Sequence, residues 1–566
     1  MILGDSVLDD LVKLSDTTFG RAFDKTVARY PTKEAFVFED KRITWEQSAH
    51  QVNRLAKGLL KLGVKRGDSV GVWMTNNLEW LYSWIAIVKI GATVGAINTR
   101  FKTQELSYAL LQSDVSTLIM SDVFLGGKIN ALAMIEELVP ELARSQPGKL
   151  RSGKFPMLKN VIVVGTGCLK GTYAFGDVLE SGNDYAANDR LARAAAAVTP
   201  DDILDHSYTS GTTGLPKAVQ NSHRGWIRLT FSEGLEDSLG VLPDDKVLNP
   251  FPLAGGMGLA GIHYNVVHGA TTFIMEKWDA AEALELIQRE RLTSAYIMGP
   301  SMVRMILALP DFEKYDISSF KRCQISGEPA SPELVMAMFD KMGMDAVLNI
   351  YGMVETHGDF SSGRRHHTRE QLATTVGTRR PWAAIRITDP NTGEEVPPGR
   401  EGEVWAKGSR PDIVLSCGYY KSPENTAKLI DKAGWVHTGD MGCLRKEDGH
   451  LMITGRVKDM IIVGGYNVYP AEIEGVLTTY PKVKMAAVIG IPDPRLGEVP
   501  VAFVQLKQAE AASESEIIGF CNERLSNTKV PRHVRFIAEM PLTMQQKVQK
   551  VKLREVIIKE LGLSGK

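Results

Sequence analysis

Between residues 69 and 122 the chain alternates short apolar runs with segments that have helical periodicity. The predicted strands are SVGVWM, ATVGAIN and TLIMSD, and the predicted helices between them are NLEWLYSWIAIVKIG and TQELSYALLQSDVS. Alternation of this kind is typical of a parallel sheet with helices on its faces. Because LKNVIVVG (158–165), CQISGEP (323–329) and AVLNIYG (346–352) continue the pattern, we predict an α/β fold.

The pattern changes twice in the second half of the chain. From about residue 384 it consists of short strands and turns, and after Gly455 it combines strands (DMIIVGG, KMAAVIGI, PVAFVQL) with helices (PAEIEGVLTTY, ESEIIGFCNERL). We predict that this last part of the chain forms a small α+β domain. It ends in KVQKVKLREVIIKE, a predicted amphipathic helix with Val551, Leu553 and Val556 on its apolar face.

The charge balance argues against a protein that binds nucleic acid through its phosphates. Lys and Arg number 66 and Asp and Glu number 67, whereas such proteins usually carry a basic excess. The five cysteines are scattered and none has CxxC spacing, which indicates reduced thiols in a reducing compartment.

Neither a secretory signal nor a membrane span is predicted. The N-terminal MILGDSVLDDLVKLSD lacks the basic start and uninterrupted apolar stretch of a signal peptide. The most apolar long segment, Trp80–Ile97, contains Lys89, Gly91 and Gly95, so we expect a buried helix followed by a buried strand. We predict a cytoplasmic protein. Peripheral membrane contact and a homodimer both stay open.

The segment YTSGTTGLPK, from Tyr208 to Lys217, has the composition of a phosphate-binding loop and follows the predicted strand DILDHS. Small and hydroxylated residues dominate it, Gly211 and Gly214 allow close approach of backbone N–H groups, and Lys217 adds a cation. It differs from the Walker pattern, in which Lys follows Gly directly. The alternative is a surface turn rich in Ser, Thr and Gly.

YTSGTTGLPK resembles the signature loop of the adenylate-forming superfamily, which holds acyl-CoA synthetases, adenylation domains of peptide synthetases and firefly-type luciferases. Further segments resemble the family in the same order: KIGATVGAIN, SGEP (326–329), NIYGMVE (349–355), GYYKSPENT, WVHTGD (435–440), GRVKDMIIVGGYNVYPAEIE (455–474) and PLTMQQKVQK (541–550). The resemblance implies a large N-terminal domain (1–456), with parallel-rich sheets and a distorted β-barrel region. It also implies a small mobile lid domain (457–566), with a hinge near Lys458.

The resemblance also implies a reaction in two steps. A carboxylate attacks the α-phosphate of ATP and forms an acyl-adenylate, and the thiol of coenzyme A then releases AMP. In this family a carboxylate matching Glu355 holds Mg²⁺, and residues matching Lys547 and Thr212 act in catalysis.

Each remaining site residue is likewise assigned by resemblance. The ATP- and AMP-binding set is Thr209, Ser210, Gly211, Thr212, Thr213, Gly214, Lys217, Gly327, Glu328, Pro329, Tyr351, Gly352, Asp440, Arg456 and Lys547. Within it, Tyr351 is expected to stack on adenine and Asp440 to accept hydrogen bonds from the ribose. The expected coenzyme A residues are Gly464, Gly465 and Tyr466, and the expected acyl-pocket residues are Ala254, Gly255, Gly256 and Met257.

The sequence departs from the family pattern at three places. Val354 stands where the family usually has Thr, and Gln546 stands where it usually has Gly before the catalytic lysine. NPFPLAGGMG (249–258) replaces a Pro-x-x-His segment and contains no His.

We therefore expect an acyl-CoA synthetase for a fatty or other bulky apolar acid. The ending PLTMQQKVQKVKLRE is similar to that of medium- and long-chain fatty-acid CoA ligases. Two alternatives stay open: an adenylation enzyme that passes the acyl group to a carrier protein or other acceptor, and a non-catalytic relative that binds nucleotide or acyl ligand.

Overall fold

The computed structural model describes residues 5–209, 216–235, 237–464, 466–542 and 548–562. The strands are β1 (Glu34–Phe38), β2 (Lys41–Thr44), β3 (Ser69–Trp73), β4 (Thr93–Ala96), β5 (Val115–Ser121), β6 (Val123–Phe124), β7 (Ile129–Asn130), β8 (Asn160–Val164), β9 (Tyr173–Ala174), β10 (Ile203–Thr209), β11 (Lys217–Ser222), β12 (Lys246–Asn249), β13 (Thr271–Ile274), β14 (Ser294–Met298), β15 (Arg322–Ile325), β16 (Ala346–Met353), β17 (Gly358–Ser362), β18 (Thr378–Arg379), β19 (Ala383–Thr388), β20 (Gly402–Gly408), β21 (Val436–Leu444), β22 (Leu451–Arg456), β23 (Ile461–Val463), β24 (Tyr466–Val468), β25 (Val483–Asp493), β26 (Gly497–Leu506) and β27 (His533–Phe536). The helices are α1 (Asp5–Leu14), α2 (Phe19–Arg29), α3 (Trp45–Lys61), α4 (Leu78–Lys89), α5 (Thr103–Gln112), α6 (Ala131–Leu138), α7 (Phe175–Ser181), α8 (Asn188–Ala197), α9 (His223–Glu233), α10 (Gly256–His268), α11 (Ala280–Glu290), α12 (Pro300–Leu307), α13 (Pro332–Asp340), α14 (Arg369–Thr374), α15 (Pro423–Leu429), α16 (Pro470–Thr478), α17 (Glu514–Asn522) and α18 (Lys550–Glu560).

Two large sheets form the body of the molecule. One has the order β11-β10-β4-β3-β5-β8-β9, in which β10, β4, β3, β5, β8 and β9 run parallel and β11 is antiparallel to β10. The other has the order β18-β17-β16-β15-β14-β12-β13-β1-β2, with a parallel centre and antiparallel edges. The predicted α/β fold with parallel sheets is therefore confirmed.

The apolar segment Trp80–Ile97 forms a buried helix that leads into a buried strand, as its composition predicts. The Asn77 side chain accepts a hydrogen bond from the backbone N–H of Trp80 and so caps the start of α4. The buried Lys89 ammonium donates to Asp24 (2.5 Å) and to Asn53 (2.9 Å), so its charge is paired inside the fold. No helix in the described part of the chain is both long and apolar enough to cross a membrane.

Two smaller sheets follow. The region of short strands and turns that begins near residue 384 is a four-stranded antiparallel sheet, β19-β20-β21-β22, and the following strands form a five-stranded sheet of their own, β23 to β27. The terminal helix α18 is amphipathic, but its predicted apolar face is wrong. Leu553 and Ile557 are buried, whereas Val551 and Val556 are 67% and 56% exposed, because positions four apart share one helix face.

A buried ionic cluster lies beneath the nine-stranded sheet. Arg380 is bound to both Glu233 and Asp359, with 2.7 Å between its Nε and the Asp359 Oδ2. Gln324 donates to Glu233 (2.7 Å) and Arg380 donates to Ser238 (3.1 Å). Because Arg380 and Glu233 are fully buried, each charge depends on these partners.

Three buried imidazoles predict that acid destabilises the fold. Burial lowers the pKa of His206, His223 and His357 to about 4 in each case. Between that value and 6.5 the unfolded chain binds protons that the native state does not, so stability falls as the pH falls. Each imidazole contributes about 1.4 kcal/mol per pH unit in this window. Chemical denaturation across the window should show the loss, and His206→Phe should reduce its slope; equal stability throughout would contradict this prediction.

Candidate active site

The ends of the predicted phosphate loop are fixed by two strands. Thr209 ends β10 and Lys217 begins β11, and the two residues pair across the antiparallel ladder. Ser210, Gly211, Thr212, Thr213 and Gly214 lie outside the described residues. Because β10 also pairs with β4 in parallel, the loop begins at the carboxyl edge of a parallel sheet, where α/β folds bind ligands.

Glu355 lies in the short turn Val354–Thr356 that follows β16 and faces the start of this loop. It is 7% exposed, and its Oε1 accepts from the Thr209 hydroxyl (3.4 Å) and from the Tyr419 hydroxyl (2.9 Å). The chain enters the turn through Gly352, where a Cβ would lie 2.2 Å from the Gly358 carbonyl oxygen. The carboxylate predicted to hold Mg²⁺ is therefore at the phosphate loop.

Tyr419 is the principal site residue that the sequence did not identify. Its hydroxyl donates to Glu355, and the Lys217 ammonium lies 5.1 Å from the centre of its ring. Lys217 also donates to Asn425 (3.0 Å). Burial raises the pKa of Tyr419 well above its usual value, so the phenol keeps the proton that it donates. Tyr419 and Asn425 both lie in GYYKSPENT. The sequence identified this segment as similar to the family but assigned no role to these two residues.

We expect Tyr419→Phe to weaken Mg²⁺ binding rather than nucleotide binding. Removing the hydroxyl takes away the shorter of the two hydrogen bonds that Glu355 makes among the described residues and leaves the 3.4 Å contact with Thr209, so the carboxylate is held less firmly. The Mg²⁺ concentration for half-maximal adenylation should rise about tenfold, with the KM for ATP at saturating Mg²⁺ little changed. Tyr420→Phe, which removes a hydroxyl that binds Asp114 instead, is the matched control. Equal Mg²⁺ dependence in both variants would contradict the assignment.

A second group of predicted residues converges on Asp440. The Tyr351 hydroxyl donates to Asp440 Oδ2 (2.7 Å), and the Arg456 Nε lies 3.1 Å from Asp440 Oδ1. Burial and the adjacent Asp440 carboxylate raise the pKa of Tyr351 well above its usual value. The Tyr351 ring packs edge-on against Phe360, at 5.1 Å between centres. Residues predicted to hold adenine and ribose thus form one hydrogen-bonded group. One of its members, Tyr351, precedes Glu355 by four residues in the chain.

The predicted adenine loop joins this group from the neighbouring strand. Gly327 follows β15 with φ +94°, a conformation that favours glycine, and a Cβ there would lie 3.2 Å from the Met257 sulfur. The Glu328 carboxylate accepts from the Ser301 backbone N–H (2.6 Å) and from Arg304 (3.1 Å). The side chain of Glu328 is thus held by α12, and the adenine-binding role of Gly327, Glu328 and Pro329 stays a prediction.

The predicted acyl segment lies between these loops. Ala254 precedes Gly255, the residue that caps α10, and Met257 reaches Gly327 from the first turn of the helix. A Cβ on Gly256 would lie 3.4 Å from the Val354 side chain, so Val354, which departs from the family's Thr, turns a methyl group toward this segment. The segment without His therefore adjoins both nucleotide loops.

The predicted C-terminal residues are less fully described. The Lys458 side chain is exposed at the surface, and desolvation together with the neighbouring Arg456 lowers its pKa. Gly464 adopts φ +57° in the β23–β24 hairpin, and Tyr466 is 68% exposed. Gly465, Gln546 and Lys547 lie outside the described residues.

The oxygen donors present suit Mg²⁺. Among the described residues no group of three or more His, Cys, Asp or Glu side chains could hold a metal by itself. Mg²⁺ usually takes one or two protein carboxylates and completes its shell with water and substrate phosphates. Glu355, with the Thr209 hydroxyl beside it, matches that requirement.

Comparison with known proteins settles the family. The model of the AMP-binding enzyme family matches residues 23–420, and that of the AMP-binding enzyme C-terminal domain matches residues 472–547. The chain belongs to the AMP-binding enzyme family. It is therefore a member of the adenylate-forming superfamily and an AMP-forming ligase of the acyl-CoA synthetase group, which uses ATP, Mg²⁺ and, as a substrate, coenzyme A.

Relatives of this AMP-binding enzyme match it over nearly their whole length. YngI of Bacillus subtilis (strain 168) is 33% identical over 98% of this chain and 100% of its own. The mitochondrial medium-chain acyl-CoA ligase ACSF2 of Bos taurus is 33% identical over 97% of this chain and 89% of its own. The crystal structure of the anthranilate CoA ligase AuaEII in complex with anthranoyl-AMP is similar, with a TM-score of 0.84, 27% identity and coverage of 97% and 98%.

Proposed function

We propose that this ligase activates an apolar carboxylic acid with ATP and transfers the acyl group to coenzyme A. The observation that carries the proposal is the contact of Glu355 with both Thr209 and Tyr419. It brings a buried carboxylate, the start of the phosphate loop and the Lys217 cation to one place. Mg²⁺ bound there would neutralise phosphate charge.

The residues of the site then have separate roles in binding and catalysis. Lys217 and the loop that ends at it bind the phosphates. Tyr419 contacts both Glu355 and Lys217 and so fixes their relative positions. Asp440, fixed by Tyr351 and Arg456, receives the ribose hydroxyls. Because no covalent enzyme intermediate is required, positioning and charge stabilisation account for the rate. We assign Lys547 the role of stabilising charge on the α-phosphate, which stays a prediction.

The acid is proposed to enter beside the first turn of α10. Gly255 and Gly256 leave space there, and Met257 and Val354 make the wall apolar. A medium-chain acyl-CoA ligase among the relatives supports an apolar acid of intermediate length.

The small domain is proposed to span residues 457–566 and to rotate about Lys458 between the two steps. The change of sheet supports this boundary, because β22 ends at Arg456 and β23 begins at Ile461 in a different sheet. After rotation, the hairpin with Gly464 and Tyr466 would contact coenzyme A. A cytoplasmic location stays a prediction.

Exchange of labelled pyrophosphate into ATP tests the first step. We expect exchange with octanoate and benzoate, and much less with acetate, because a short acid leaves the apolar wall uncovered. Exchange without any thioester on addition of coenzyme A would favour a carrier-protein acceptor. No exchange with any acid would favour a non-catalytic relative.

A further inference from the structure

His357 is a buried residue in a backbone conformation that side chains rarely adopt. It directly follows the Val354–Thr356 turn, which carries Glu355, and its φ of +56° lies in the left-handed region. The residue is 2% exposed. Backbone strain of this kind persists only where the surrounding structure holds it, and it is concentrated at functional sites. The contacts of the imidazole therefore bear on the position of Glu355.

Both ring nitrogens of His357 are hydrogen-bonded to the backbone of other segments. Nε2 accepts from the Ser222 N–H (3.1 Å) at the end of β11, and Nδ1 lies 2.9 Å from the Leu415 carbonyl oxygen. Because a backbone N–H can only donate, Nε2 carries no proton, and the proton of the neutral ring is on Nδ1, which donates to Leu415. The Ser222 hydroxyl (3.3 Å) and the Cys417 sulfur (3.7 Å) also lie near Nε2. The imidazole therefore bridges two segments in one defined orientation.

The two segments that this imidazole contacts are themselves joined. The Tyr420 N–H donates to the Ala218 carbonyl oxygen of β11 (2.9 Å). The joined segments hold Tyr419, whose hydroxyl donates to Glu355, and Lys217, whose ammonium lies 5.1 Å from the centre of the Tyr419 ring. The imidazole therefore fixes the turn of Glu355 to the segments that carry these two side chains.

The first turn of α9 packs against the same ring. A Cβ on Gly225 would lie 2.4 Å from Cγ and Cδ2 of His357, so only glycine leaves room for the imidazole there. The Ser222 hydroxyl accepts from the Gly225 N–H (3.2 Å) and caps this helix. Packing and hydrogen bonds thus hold the ring in the same position.

We propose that His357 is a positioning residue for adenylation. Its two hydrogen bonds fix Glu355 relative to Tyr419 and Lys217, and so set the affinity of the site for Mg²⁺ bound to ATP. It acts through these three residues and not on the reacting atoms. Polar groups that orient a metal ligand typically change metal affinity or activity about 10–100-fold when they are removed. The inference rests on the proposed function, in which Glu355 holds Mg²⁺.

His357→Asn tests the bridge with little change to the backbone. Asparagine tolerates the left-handed conformation, but it is too short to bond both Ser222 and Leu415. We expect the Mg²⁺ concentration for half-maximal pyrophosphate exchange, measured with octanoate and saturating ATP, to rise about tenfold or more. The inhibition constant of adenosine should not change, because adenosine has no phosphates and its ribose is assigned to Asp440.

A second variant displaces the ring without replacing it. Gly225→Ala places a methyl group against His357 and should shift the Mg²⁺ dependence in the same direction as His357→Asn. His268→Asn and Gly234→Ala are the matched controls. The His268 ring is bonded to the Thr230 carbonyl (2.9 Å), and a Cβ on Gly234 would lie 2.2 Å from its Cε1. This control pair should leave the Mg²⁺ dependence unchanged.

A double variant shows whether His357 acts through the contact between Tyr419 and Glu355. Residues that act through one contact have non-additive effects on free energy. His357→Asn combined with Tyr419→Phe should therefore shift the Mg²⁺ dependence by less than the product of the two single shifts. Single shifts that multiply fully would contradict this route.

Three further results would overturn the inference. If His357→Asn exchanges pyrophosphate with the Mg²⁺ dependence of the parent enzyme, the bridge does not position Glu355, and the proposed function still stands. If His268→Asn shifts the Mg²⁺ dependence as much as His357→Asn, the effect is one of general stability. If the parent enzyme exchanges pyrophosphate with no acid, the proposed function fails and the inference fails with it.

Discussion

Glu355→Gln is expected to lower the rate of acyl-adenylate formation about a hundredfold. The amide keeps the size of the side chain but removes the negative charge that Mg²⁺ requires from its protein ligand. Loss of one preorganised electrostatic contact at a reacting group typically has an effect of about this size. Pyrophosphate exchange at saturating ATP and acid measures it, and added Mg²⁺ should recover part of the rate.

The control for this variant is Glu370→Gln, at an exposed carboxylate in the first turn of α14. Both variants should keep the thermal midpoint of the parent enzyme, so that any difference in rate reflects the active site. If Glu355→Gln exchanges pyrophosphate as fast as Glu370→Gln, Glu355 is not the Mg²⁺ ligand.

Arg380→Met is expected to lower the free energy of unfolding by about 3–5 kcal/mol. The substitution leaves Glu233 and Asp359 buried near one another without the cation that both contact. An uncompensated charge in the interior is far more destabilising than the loss of an exposed ion pair. Urea denaturation followed by tryptophan fluorescence measures the change.

A triple variant separates charge from packing in this cluster. Glu233→Gln and Asp359→Asn, added to Arg380→Met, remove both carboxylates and should restore most of the lost stability. A loss below about 1 kcal/mol in Arg380→Met alone would show that the cluster behaves like an exposed pair. Failure of the triple variant to recover would assign the effect to packing around Trp382, whose ring lies 5.7 Å from the Arg380 guanidinium carbon.

The fold was predictable because its signals are local. Each strand and helix between residues 69 and 122 has its own periodicity, and the parallel sheet follows from their alternation. The face of α18 was not predictable in the same way. Val551 and Leu553 look alike in sequence, and only the packing of the helix on β25 decides which is buried.

Single segments of the sequence suggested the roles of the phosphate loop, Glu355 and Asp440, and these roles stay predictions. The contact between Tyr419 and Glu355 joins two segments whose meeting no local pattern encodes. Long-range contacts of this kind cannot be predicted from local sequence patterns.

The most direct test of the account is a single reaction that follows AMP and acyl-CoA together. The full-length enzyme is incubated with ATP, Mg²⁺, coenzyme A and a panel of carboxylic acids, and both products are quantified by mass spectrometry. Equal amounts of AMP and thioester are expected, with apolar acids of intermediate length reacting best. AMP without thioester, or reaction with acetate and propionate only, would contradict it.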